Sequence, residues 1–132
     1  MTAMDFATLA LTWKPNQFLV LPAGFAAKAR AHLVSPSFGR PPDQVLDALK
    51  RVALAEPRTT LLAEDRAKRR LALVQRSKTF RFPDYIDVEA VPLTGGQTAL
   101  AIYSRARFGI RDFGVNRARV ERWLAALKRE LG

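Results

Sequence analysis

Cysteine is absent from the chain and histidine occurs once, as His32. Without cysteine there is no disulfide, no thiolate nucleophile and no thiolate-ligated metal, which fits a reducing compartment. One histidine leaves no imidazole pair for a metal, and Ser77 and Ser104 have no neighbouring histidine to activate them. Acidic residues are also scarce: Asp and Glu total 12 against 22 for Lys and Arg, a net charge of +10. Sixteen of the cations are Arg and six are Lys. Such an excess favours nucleic acid, acidic lipid, an acidic protein or a carboxylated small molecule as partner, or simply makes a solvated basic surface. Long apolar runs are missing too. The charge-free stretch from Pro15 to Ala27 holds Pro22 and Gly24 and falls short of the roughly 20 apolar residues a bilayer span needs. Asp5 stands where a secretory leader carries Lys or Arg, so the expected location is cytoplasmic.

What is present is an ordinary globular composition, 48% apolar and 26% charged, sized for one domain over residues 1–132. Residues 1–36 are punctuated by Pro15, Pro22, Gly24 and Pro36, and predict an irregular segment packing across that domain. Pro41-Pro42-Asp43 opens a helix, because proline loses no hydrogen bond in a first turn and Asp43 suits the positive end of the dipole. Val45, Leu46, Leu49 and Val52 fall on one face of it, and Pro57 lies beyond its end. Strand-like runs follow at 59–63, 70–76, 84–91 and 98–105. Ile86, Val88 and Ala90 alternate with Asp87 and Glu89 in the third, and Gly95-Gly96 turns the chain into the fourth. The last helix has Asn116 as its expected N-cap, Val115 as a staple against Val120, and an apolar stripe of Val120, Trp123, Leu124, Leu127 and Leu131. Together these predict an α+β two-layer sandwich: an antiparallel meander of about four to five strands packed by two amphipathic helices.

A hairpin turning at Gly95-Gly96 sets the start of one strand beside the end of the other. That brings Asp84 and Asp87 toward Arg105 and Arg107, with Arg111 and Asp112 in the next loop and Arg119 one turn into the helix. Asp84, Asp87, Arg105, Arg107, Arg111, Asp112, Asn116 and Arg119 are therefore the candidate ligand-binding residues. A structural role is the simpler reading, an ionic latch in which planar guanidinium forks grip carboxylates. An anion site is the alternative, with arginines in excess near a helix N-terminus.

The stretches Phe-Pro-Asp-Tyr-Ile-Asp-Val (82–88), Tyr-Ser-Arg-Ala-Arg-Phe-Gly (103–109) and Asp-Phe-Gly-Val-Asn-Arg-Ala-Arg-Val (112–120) resemble the uncharacterised family catalogued as domain of unknown function 1499. The resemblance extends from Pro41 to near the end of the chain. It implies the fold and the motif, and carries no activity.

Asp112-Phe113-Gly114 matches the metal-binding tripeptide of protein kinases by letters alone, since no glycine-rich or catalytic loop accompanies it. No metal or cofactor is expected. Arg66, Lys68, Arg69, Arg70, Arg76, Lys78 and Arg81 form a run of seven cations without an acid, with Phe80 and Phe82 nearby for base stacking. Strand alternation would divide them between two faces. Three functions follow from these patterns. The leading one is a non-enzymatic binding protein for an anionic small molecule or acidic partner. The second is a nucleic-acid or anionic-membrane binder using Arg66 to Arg81. The third is a small enzyme using Asp84 or Asp87 as acid or base, one carboxyl raised by the other.

Overall fold

The middle of the fold is the antiparallel meander that the turn residues dictate. Its strands are the third to sixth of the chain; two short strands precede them, β1 (Gln17–Leu21) and β2 (Leu33–Val34). Helix α1 (Pro42–Leu54) leads into β3 (Thr59–Asp65), β4 (Arg70–Arg76), β5 (Pro83–Pro92) and β6 (Thr98–Ala106), and helix α2 (Val115–Leu131) closes the sequence of elements. The structure, a computed structural model, describes residues 4–132, so the N-terminal reading at residues 1–3 lies outside the described residues.

The sheet has six strands in the order β2-β1-β6-β5-β4-β3, and it is mixed, since β1 and β2 run parallel. Two features therefore differ from the sequence expectation. The segment 1–36 is not wholly irregular, and the sheet is neither purely antiparallel nor limited to five strands. The physical reason is the free edge of β6. An unpaired strand edge presents a row of unmet N–H and C=O groups. Residues Gln17 to Val20 satisfy it, pairing with Arg105 to Ile102. Phe18, Leu19, Val20 and Leu21 are all buried, the signature of a strand covered on both faces.

Strand alternation then sorts the side chains. Val20, Leu73, Ile86, Val88, Leu100 and Ile102 turn toward the helices, where they meet Leu46, Leu49, Val120, Trp123 and Leu127 in the main core. The alternate positions build a smaller core on the other face, where Phe6 covers Leu19, Leu21, Ala101 and Tyr103. The N-terminal segment thus acts as a lid on the face that lacks helices. Each fully buried aliphatic or aromatic side chain contributes about 1.5–3 kcal/mol by burial, so both layers matter to stability.

Candidate functional site

Asp84 and Asp87 both sit near the start of β5, but they lie three positions apart in a strand whose side chains alternate every residue. Asp84 faces the helices and Asp87 faces away. The constellation expected at one end of the sheet is divided by the sheet itself. The two carboxylates stand on opposite faces of the sheet, so they do not form the neighbouring pair in which one carboxyl raises the other.

On the helix face the centre is Arg119, which is 2% exposed. Its guanidinium donates to Asp84 Oδ2 at 2.8 Å, Gln75 Oε1 at 2.8 Å, Ser104 Oγ at 3.0 Å and Asn116 Oδ1 at 2.7 Å. Ser104 in turn donates its hydroxyl proton to Asn116 Oδ1 at 2.6 Å. The Asn116 amide donates to the Asn16 carbonyl at 3.2 Å and to Asp112 Oδ2 at 2.7 Å. Gln75 donates onward to Glu56 at 2.9 Å, which also receives two bonds from Arg122. Burial works to raise the Glu56 carboxyl, but hydrogen bonds from Arg122 and Gln75 outweigh it and hold the group below its usual range. Trp123 Nε1–H has no partner of hydrogen-bonding geometry among the described residues, yet it lies near enough to favour the charged carboxylate. The network ties the strand ends of β1, β4, β5 and β6 to the first turns of α2. Four of the five N–H donors of Arg119 are directed at protein acceptors, an arrangement that holds the strand ends and the helix together as a latch would.

Asn116 is not the cap of α2. Gly114 occupies the N-cap position with φ 79°, a left-handed conformation that suits glycine. Asp112 supplies the cap, accepting from the backbone N–H of Gly114 at 2.9 Å and of Asn116 at 3.1 Å. Asn116 stands two residues deeper than expected, at the second helical position, which frees its side chain to enter the buried network. Val115 is already helical and partly exposed, so it makes no staple.

The opposite face carries the second pair. Arg105 donates to Asp87 at 2.5 Å and lies over the Tyr103 ring, 4.8 Å from its centroid. Burial pushes the Tyr103 hydroxyl up, and that hydroxyl donates to Gln17 Oε1 at 2.6 Å. Beside it, Arg70 pairs with Glu89 at 2.7 Å and also donates to the Met4 carbonyl. A cleft of about 300 Å³ runs over this face beneath Met4 and Phe6, bounded by Asp65, Arg70, Asp87 and Arg105. It reaches Arg105 and not Arg107. Both of its arginines already hold carboxylates, so an anion entering it would have to displace one.

The remaining candidates, Arg107 and Arg111, take part in no ion pair among the described residues. They lie in the loop between β6 and α2, exposed at the end of the sheet. Arg107 stacks over Phe108 at 5.0 Å, Phe108 meets Phe82 at 6.1 Å, and Phe82 stacks on Phe80 at 5.5 Å. Phe80, Phe82, Phe108, Ile110 and Phe113 are all exposed, Phe113 by 94%. The loops that carry them are tied down. Ser77 bonds Phe82 through backbone and side chain, Arg107 N–H donates to the Pro83 carbonyl, and Asn16 donates to the Gly109 carbonyl at 2.7 Å. Arg81 and Phe113 adopt positive φ of 58° and 54°, a conformation costing non-glycine residues about 1–2 kcal/mol each. Such strain concentrates where a shape is required.

The basic run from Arg66 to Arg81 is not one patch. Arg66, Lys68, Arg69 and Arg70 flank the β3–β4 turn, whereas Arg76, Lys78 and Arg81 sit at the far end of β4, roughly 20 Å away. Arg66 is further paired with Asp47 and Glu64.

Sequence reasoning missed Asn16, Glu56 and Gln75 in the network, and Phe108, Ile110 and Phe113 at the loop end. Gln75 carried a signal, since it shares the parity of the core residues Leu71 and Leu73. Asn16 carried none.

The family model described as Protein of unknown function (DUF1499) matches residues 10–127, and the chain belongs to that family. A comparison with curated proteins finds no match.

Proposed function

We propose that this member of the family is a non-enzymatic binding or accessory protein that engages an extended anionic partner through the loop end of its sheet. The observation that supports the reading is the meeting there of exposed aromatic side chains with cations that hold no carboxylate. Lys78, Arg81, Arg107 and Arg111 are without ion pairs among the described residues, while the nearby carboxylates Asp84 and Asp112 are committed to Arg119 and to the start of α2. A surface partner fits better than an enclosed small molecule, because the cleft lies on another face and its arginines are neutralised.

Retention on immobilised heparin, a generic polyanion, tests this. Replacing Arg107 and Arg111 together by Glu should abolish retention at low salt. The same charge change at Lys68 and Arg69, on the β3–β4 turn, should weaken it only slightly. Equal losses in the two variants would reduce the reading to net charge alone.

A further inference from the structure

We infer that the anionic partner is a lipid bilayer surface, into whose headgroup region the loop end inserts its aromatic tips; this rests on the function proposed above. Six large apolar side chains come to this end of the molecule: Trp13, Phe80, Phe82, Phe108, Ile110 and Phe113, with Trp13 exposed by 77% and Phe80 by 72%. Trp13 belongs because the loop preceding β1 is joined to the β6–α2 loop through Asn16 and Gly109. Lys14, Lys78, Arg81, Arg107 and Arg111 accompany them without ion pairs among the described residues. Apolar rings at loop tips, attended by lysine and arginine, are the composition a headgroup interface receives. Rings sit at the acyl boundary and cations at the lipid phosphates. No helix among the described residues is long and apolar enough to cross a membrane.

The ring packing separates a bilayer from a single-stranded nucleic acid. Base stacking needs an aromatic face open to each base. Here Phe80 and Phe82 stack on one another with an interplanar angle of 19°, and the Phe108 ring is covered by Arg107. A base could use only the outer faces of these three rings without breaking contacts, whereas a bilayer takes the whole cluster as a unit. The cations also bring their own partner chemistry: each Lys or Arg near an anionic leaflet strengthens attachment by about fivefold.

Co-sedimentation of the full chain with vesicles tests the inference, using phosphatidylcholine alone and phosphatidylcholine containing phosphatidylserine. Binding is expected to the anionic vesicles, weakened at least tenfold by physiological relative to low salt. Phe80→Ser with Phe82→Ser should lose vesicle binding and keep heparin retention, whereas Arg107→Glu with Arg111→Glu should lose both. Trp13 offers a readout that needs no variant, because Trp123 is buried and silent to solvent. Its emission should shift to the blue when anionic vesicles are added. Heparin retention without vesicle binding or blue shift would overturn the bilayer and leave the broader reading standing. Tight binding of single-stranded oligonucleotides with no vesicle binding would replace it with nucleic acid. Loss of heparin retention in the unaltered chain would remove both.

Discussion

Arg111 and Arg119 belong to one loop-and-helix segment and do opposite things. Arg119 is buried with four of its five donors aimed at protein acceptors, while Arg111 stands in solvent without an ion pair among the described residues. The Asp112–Asn116 bond separates them, since it fixes where the loop ends and the helix begins. What the difference teaches is that residue type does not announce a binding site. Among arginines of one loop and helix, the ones without carboxylates are the candidates for recognition, and the ones with several partners hold the fold.

The largest expected effect comes from breaking the buried side of that comparison. Arg119→Met strands Asp84, Gln75, Ser104 and Asn116 and should cost about 3–5 kcal/mol, read by urea denaturation. Adding Asp84→Leu should recover part of the loss, because the stranded charge is the main penalty. A single substitution costing less than 1 kcal/mol would mean that the latch is ornamental. Asn116→Ala should come next, at about 2 kcal/mol, from loss of an amide that bonds Asn16 and Asp112 while accepting from Ser104 and Arg119. Asp112→Ala removes the cap and one of the two bonds that the Asn116 amide donates, and should cost about 1 kcal/mol in the same measurement, because Asn116 keeps its bond to the Asn16 carbonyl. If Asn116→Ala proved the milder of the two, the cap would be the main anchor of α2.

The exposed side of the comparison should respond inversely. Arg107→Glu with Arg111→Glu should change stability by no more than about 0.5 kcal/mol while abolishing polyanion retention. A large fall in melting temperature would place these residues in the fold instead of the interface. The smallest effect concerns Glu56. Its carboxyl is lower in the folded chain than in the unfolded one, so its stabilisation is present above the unfolded value of about 4.3 and is lost as pH falls through the folded value. Glu56→Gln should therefore lower stability slightly at pH 8 and flatten the profile below about pH 4.5, the two proteins converging as pH falls.

Much of the fold was legible because its signals are local. Gly95-Gly96 set the hairpin, Pro42 set the start of α1, and alternation marked β5. The strand β1 was hidden because its partner β6 is remote in sequence, and a short apolar run between two prolines has no periodicity to show. The site was legible as a neighbourhood: the chain does bring Asp84, Arg105 and Arg119 to one end. Its division into two faces follows from the spacing of Asp84 and Asp87, where strand parity outweighs proximity along the strand. The shift of Asn116 from cap to network came from a competition between two good capping residues, won by Asp112 because Gly114 lets the chain turn left-handed between them.

The pairing of β1 with β6 has a consequence during synthesis. Gln17 and Tyr103 bond across a separation of 86 residues. At ribosomal rates of about 5–20 residues per second, an apolar strand waits about 4–17 seconds for the neighbour that will cover it. The meander from β3 to β6 can assemble from nearest neighbours, but the edge of β1 that faces β6 must stay unpaired until the last strand emerges. Over that interval Phe18 to Leu21 is open to chaperone capture or to association with another copy.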